Sequence, residues 1–217
     1  ELLQLQDAAR QQAEEVVTVL PYMGYARQDD AFAEGEPISA RAMARAISTG
    51  TDRVLTVNPH EEAVCDFFDV PCTAVDAAGV LADPLPSLSD PLFLSPDEGA
   101  IHLAETVRDA AGAGELDYFE KHRLSDTEVE VRPSDAETAG RDVVLVDDIV
   151  ATGSTMSTAI AQLDAPERVF VTCVHPMLAA NARTKLAQAG VDGVFGTDTI
   201  ERAVSTVSVA PALVEHL

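Results

Sequence analysis

Four consecutive aliphatic residues, Val143-Val144-Leu145-Val146, run into the acid pair Asp147-Asp148 and then into Ile149-Val150-Ala151-Thr152-Gly153-Ser154-Thr155. A continuous apolar run of this length reads as a strand covered on both faces, the kind found in parallel sheets. Residues 156–163 carry helix-type apolar spacing, so the loop between strand and helix delivers a helix N-terminus to the carboxyl edge of the sheet. An anion binds at such a place. Gly153 lets the backbone come close, Thr152, Ser154 and Thr155 add hydroxyl donors, and the unpaired N–H groups of the first helical turn favour a phosphate. Asp147 and Asp148 would repel that phosphate unless they face another part of the ligand, such as a pair of sugar hydroxyls or a bound Mg²⁺. The stretch therefore reads as a site for a phosphorylated pentose.

The same stretch resembles the phosphoribosyl-binding loop of the type I phosphoribosyltransferase-like fold. The resemblance implies that ribose 5-phosphate is held by Asp147, Asp148, Thr152, Gly153, Ser154 and Thr155. The loop alone does not separate transferases that consume phosphoribosyl diphosphate from the kinase that makes it.

A second segment does. Leu20-Pro21-Tyr22-Met23-Gly24-Tyr25-Ala26-Arg27-Gln28-Asp29 resembles the Pro-Tyr-x-Gly-Tyr-Ala-Arg-Gln-Asp block of ribose-phosphate pyrophosphokinases. Its chemistry is intelligible without the resemblance, because a strand over 16–20 would run into a turn projecting a guanidinium and an amide, groups suited to nucleotide phosphates and base edges. By the resemblance, Arg27, Gln28 and Asp29 belong to an ATP site together with His60, which ends Val57-Asn58-Pro59-His60. His60 and Asp97 are the implied Mg²⁺ ligands, the latter in Ser95-Pro96-Asp97-Glu98-Gly99-Ala100, similar to the turn that opens the family's second domain. Lys121-His122-Arg123 matches the family's catalytic loop, so Lys121 and Arg123 are the expected catalytic residues. The chain holds only two lysines, Lys121 and Lys185, against twelve arginines, which makes a lysine inside this motif conspicuous. Departures from the family pattern are Asn58 where Asp is common, Ala100 for a second glycine, and Ala151 at a position often acidic.

The expected activity is transfer of the pyrophosphoryl group of ATP to the 1-hydroxyl of ribose 5-phosphate with Mg²⁺ as cofactor. Two alternatives share parts of the pattern. A nucleobase phosphoribosyltransferase would use the 143–155 loop without the Arg27–Asp29 block, and a catalytically silent homologue would regulate an active partner.

Strand-like and helix-like segments alternate along the chain, which predicts an α/β architecture with parallel sheets flanked by helices. We expect two type I phosphoribosyltransferase-like domains, over 1–83 and 84–217, divided at the Pro-rich bridge Asp83-Pro84-Leu85-Pro86-Ser87. The first would be incomplete, because the helix at the start follows several amino-terminal strands in the family. Residues 124–139 read as an acidic excursion between strands.

Charge bounds the partners. The 217 residues carry 37 acids against 14 Lys plus Arg, a formal net charge of −23, a surface that repels nucleic acid and anionic membranes. The acids are spread along the chain and arginine outnumbers lysine, as in proteins adapted to high salt, where screening suppresses self-repulsion. Cys65, Cys72 and Cys173 lack metal-binding spacing and read as buried free thiols of a reducing compartment. No apolar run reaches membrane-spanning length and the start does not read as a signal peptide, so a cytoplasmic location is expected. Family resemblance implies a homo-oligomer, dimer or hexamer.

Overall fold

The computed structural model describes residues 1–31, 33–123, 129–133 and 136–217, with the backbone alone for 120–123 and 129–133. The chain forms two compact units, residues 1–77 with 209–217, and residues 78–208. The division falls a few residues ahead of the Pro-rich bridge. The carboxyl-terminal residues belong to the first unit, where the Arg53 guanidinium donates to the main-chain oxygens of His216 (2.8 Å) and Leu217 (3.1 Å).

In the first unit, β1 (Val17–Leu20), β2 (Arg53–Val57) and β3 (Cys72–Val75) form a parallel sheet in that order. Helix α1 (Leu2–Arg10) precedes the sheet and α2 (Ser39–Ser48) connects β1 to β2. Ala40, Ala44 and Ile47 recur on one face of α2 at helical spacing and are buried with Leu20, Val54, Val64 and Phe68. The small alanines let the helix lie close on the strands. Between β2 and β3 the chain makes a 3-10 helix over Glu62–Phe67. Cys65 and Cys72 are half-buried, which corrects the expectation of three buried thiols. Cys173 alone is fully buried.

The second unit is a seven-stranded sheet in the order β10-β9-β8-β7-β4-β5-β6. Its strands are β4 (Leu92–Ser95), β5 (Glu115–Arg123), β6 (Val129–Pro133), β7 (Asp142–Ile149), β8 (Arg168–His175), β9 (Gly193–Thr197) and β10 (Ser205–Val207). All neighbours are parallel except β5 and β6, which pair antiparallel with Phe119 opposite Pro133 and Arg123 opposite Val129. The acidic excursion therefore contains an edge strand. Helices α3 (Ile101–Ala111), α4 (Ser154–Ile160) and α5 (Ala182–Gln188) make the crossovers that parallel pairing requires. A last short helix, α6 (Ala210–Val214), lies in the first unit.

Strand β7 occupies the middle of the larger sheet, with β4 on one side and β8 on the other. Val143, Val144, Leu145 and Val146 are completely buried. Leu92, Leu94, Phe119, Val143, Leu145, Met156, Ile160, Val171 and Leu186 form its main core cluster. At its start, Asp142 is enclosed and ion-paired with Arg168, whose Nε donates to Asp142 Oδ1 at 2.9 Å. The strand is thus pinned by an ion pair at one end and by apolar burial in the middle, which fixes where its last residues emerge. Among the described residues, no helix is long and apolar enough to cross a membrane.

Candidate active site

Asp147 and Asp148 occupy the last part of β7, at the carboxyl edge of the sheet, and are half-buried. Strand β4 runs alongside with Leu94 opposite Leu145, so Asp97, two residues past the end of β4, arrives at the same edge. One Asp97 oxygen accepts from the Ala100 N–H (3.3 Å) and caps the 3-10 helix Glu98–Ala100, while the Ser95 hydroxyl donates to the Asp97 carbonyl at 2.6 Å. These bonds hold the turn in place. Burial pushes the Asp147 carboxyl well above the usual carboxylate range, and the charges of Asp148 and Asp97 push it the same way. The Asp148 N–H donates to Asp147 Oδ1 at 2.9 Å and opposes the rise without cancelling it.

A cluster of carboxyl groups of this kind suits two ligand groups, hydroxyls that donate and a hard cation that neutralises. The oxygen donors of Asp97, Asp147 and Asp148 fit Mg²⁺ by chemistry. Among the described residues, no group of three or more His, Cys, Asp or Glu side chains could by itself hold a metal ion. Mg²⁺ ordinarily keeps several waters and takes one or two carboxylates plus substrate phosphates, so a full protein cage is not required.

The hydroxyl-rich loop follows directly. Gly153 has φ 71°, a left-handed conformation that favours glycine, and a Cβ there would lie 3.3 Å from the Ala182 carbonyl oxygen. Glycine therefore permits both the turn and the close approach of α5. Thr152, Ser154 and Thr155 are exposed, with Thr152 Oγ1 donating to Ser154 Oγ at 3.2 Å. A second loop, residues 176–181, braces the first: the Leu178 N–H donates to the Val150 carbonyl and the Ala179 N–H to the Ala151 carbonyl, both at 2.8 Å. Leu178 (φ 45°) and Ala180 (φ 52°) are left-handed without being glycine, so this brace is a strained one. His175, at the end of β8, is buried with Nδ1 2.9 Å from Thr199 Oγ1.

Sequence reasoning missed one residue here. Lys185 of α5 donates from Nζ to Ser154 Oγ at 2.8 Å and brings a positive charge to the loop. The available signal was lysine scarcity, which drew attention to Lys121 and applied equally to Lys185.

Lys121 and Arg123 lie near the end of β5, which runs beside β4 with Tyr118 opposite Ser95. Their backbones therefore continue past the sheet edge where Asp97 sits, and their side chains lie outside the described residues. In the first unit, Arg27 is exposed, Asp29 is half-buried and His60 is exposed after the end of β2. Gln28 anchors its own turn: its side-chain oxygen accepts from the Ser39 hydroxyl, and its carbonyl accepts from the Ala40 N–H at 3.1 Å. Asn58, left-handed at φ 32°, donates to Asp76 Oδ1 and accepts from the Ala77 N–H, each at 2.8 Å. An aspartate there could not make the first of these bonds.

A largely parallel α/β sheet whose central strand presents paired carboxylates and a hydroxyl-rich loop at its carboxyl edge has the layout of a phosphoribosyl transferase domain, and residues 82–211 match that family. Residues 1–50 match the N-terminal domain of ribose phosphate pyrophosphokinase. The chain belongs to the ribose-phosphate pyrophosphokinase family. It is 67% identical to a ribose-phosphate pyrophosphokinase of Halobacterium salinarum over 219 residues, covering all of this chain and 78% of the relative. It is 45% identical to a ribose-phosphate pyrophosphokinase of Methanosarcina mazei, covering 100% of this chain and 73% of the relative. The crystal structure of phosphoribosylpyrophosphate synthetase from Mycobacterium smegmatis superposes with a TM-score of 0.81 at 30% identity, over 99% of this chain and 74% of that one.

Proposed function

We propose that the chain moves the pyrophosphoryl group of Mg·ATP to the 1-hydroxyl of ribose 5-phosphate, giving 5-phosphoribosyl 1-diphosphate and AMP. Family membership supports the reaction. The observation that carries the substrate assignment is the juxtaposition of the acid pair Asp147 and Asp148 with an exposed hydroxyl loop turned by Gly153. The 5-phosphate takes the loop hydroxyls and the free N–H groups of the first turn of α4. The 2- and 3-hydroxyls donate to Asp147 and Asp148, which orients the 1-hydroxyl for attack on the β-phosphorus. As that bond forms, the bond from the β-phosphorus to the oxygen it shares with the α-phosphate breaks and AMP leaves.

Arg27, Gln28, Asp29 and His60 are assigned to ATP, with His60 and Asp97 as protein ligands to Mg²⁺. Bound Mg²⁺ would supply charge neutralisation on the phosphate oxygens. Lys121 and Arg123 are assigned to the negative charge that develops on the transferring group, a role that depends on positioning more than on covalent chemistry. The working form is a homo-oligomer, dimer or hexamer, in the cytoplasm, with no nucleic-acid or membrane partner. The family resemblance supports the first statement and the acidic surface the last.

The test is AMP formation from ATP, assayed in molar KCl with and without ribose 5-phosphate and Mg²⁺. The reading requires AMP only when both are present. AMP formation absent under all conditions would favour a silent homologue, and base-dependent consumption of phosphoribosyl diphosphate would favour a nucleobase transferase.

A further inference from the structure

The anion loop has a charge deficit. Residues 150–158 contain no lysine or arginine, yet a 5-phosphate placed there must be held close to Asp97, Asp147 and Asp148. In a chain of net charge −23 the surrounding field does not help. If the protein works in concentrated salt, where the Debye length is about 3 Å at 1 M, only a cation in direct contact contributes.

Lys185 is such a cation. Its Nζ donates to Ser154 Oγ at 2.8 Å, across 31 residues of sequence. Thr152 Oγ1 donates to the same oxygen at 3.2 Å. With two donors on it, Ser154 Oγ directs its own proton away from both, which makes the hydroxyl a donor toward the ligand. The placement of Lys185 is built by the fold. Helix α5 is drawn against the loop at Gly153, where a Cβ would meet the Ala182 carbonyl at 3.3 Å. The segment leading into α5 is tied to the loop by Leu178 to Val150 and by Ala179 to Ala151. Ala182 then donates to the Ala179 carbonyl at 3.1 Å and Lys185 to the Asn181 carbonyl at 3.0 Å, so the lysine stem starts from a fixed point. Lys185 is half-buried, consistent with a stem laid along the helix and a head group delivered to one place.

We propose that Lys185 is a positioning residue for the pentose phosphate, orienting the Ser154 hydroxyl and supplying the contact charge by which the site prefers a 5-phosphorylated pentose to an unphosphorylated one. This rests on the ribose 5-phosphate reading above and names a residue that the reading does not include.

The test compares wild type, Lys185→Met, which keeps the stem without the charge, and Lys185→Arg, in AMP-release assays at fixed molar KCl. Loss of one charge-assisted contact predicts a rise of roughly tenfold to hundredfold in KM for ribose 5-phosphate in Lys185→Met. KM for ATP stays unchanged and kcat moves by less than about twofold, the pattern of an interaction equal in ground and transition states. Lys185→Arg recovers most of the affinity, and combining Lys185→Met with Ser154→Ala costs less than the two separate effects multiplied. An unchanged KM for ribose 5-phosphate in Lys185→Met overturns the proposal. So does a rise shared equally by both substrates with a lowered melting temperature, which marks a structural role. If wild type itself shows no ribose 5-phosphate-dependent AMP release, the functional reading fails, an outcome distinct from the failure of Lys185.

Discussion

Asp97 and Asp147 stand at the carboxyl ends of adjacent parallel strands, and the charge of Asp97 adds to the burial and to the Asp148 charge that hold the Asp147 carboxyl up. Ionising Asp147 therefore works against the folded state.

Asp147→Asn follows from this. A carboxyl raised in the folded state binds more protons folded than unfolded between the two titration ranges, so wild-type stability falls as pH rises from about 3.9, the unfolded value, through the raised folded one. Asparagine removes that loss. Thermal melts across pH should show Asp147→Asn gaining on wild type toward neutral pH, while turnover drops about 10²-fold or more. A variant less stable than wild type at neutral pH would contradict the sign.

The other end of β7 behaves oppositely. The Arg168 guanidinium holds the Asp142 carboxyl below the usual range, so its contribution is present above about pH 3.9 and lost as pH falls through the lower folded value. Arg168→Met should lower the melting temperature at neutral pH, with the gap to wild type closing in acid. Differential scanning calorimetry from neutral pH down to the acid limit of folding measures it.

Gly153→Ala should cost about 1 kcal/mol or more from the left-handed backbone, before the 3.3 Å approach to Ala182 is counted. Because the same residue sets the loop against α5, KM for ribose 5-phosphate should rise with it. Urea unfolding and steady-state kinetics on one preparation check both halves.

Asn58→Asp places a second carboxylate against Asp76 and removes the amide donor between them. A loss of about 1 kcal/mol is expected at neutral pH. Restoring the residue common in the family would thus destabilise this chain, and Asp76→Asn in the same background should recover the loss.

Much of the candidate site at the sheet's carboxyl edge was legible because it is local in sequence. Strand, acid pair, turn and helix follow one another over 143–163, and each announces itself by aliphatic run, glycine or apolar spacing. Lys185 was not legible, because a contact spanning 31 residues exists only once α5 is folded onto the loop. Strand β6 was hidden by its acidic surroundings, since an edge strand needs less apolar content than a central one. The Gln28 and Asn58 side chains also bond within the protein, contacts that no local sequence pattern announces.

The high acid content predicts that stability depends on salt. Melting temperature should climb from dilute buffer to molar KCl as self-repulsion is screened. A flat profile would remove the halophilic interpretation and leave the site chemistry standing.

The account stands or falls on the fate of one phosphorus atom. Phosphorus NMR of a reaction containing ATP, ribose 5-phosphate, Mg²⁺ and molar KCl should show a diphosphate attached at carbon 1 of the sugar appearing in step with AMP. Formation of ADP and phosphate with the sugar unchanged would contradict pyrophosphoryl transfer by this chain.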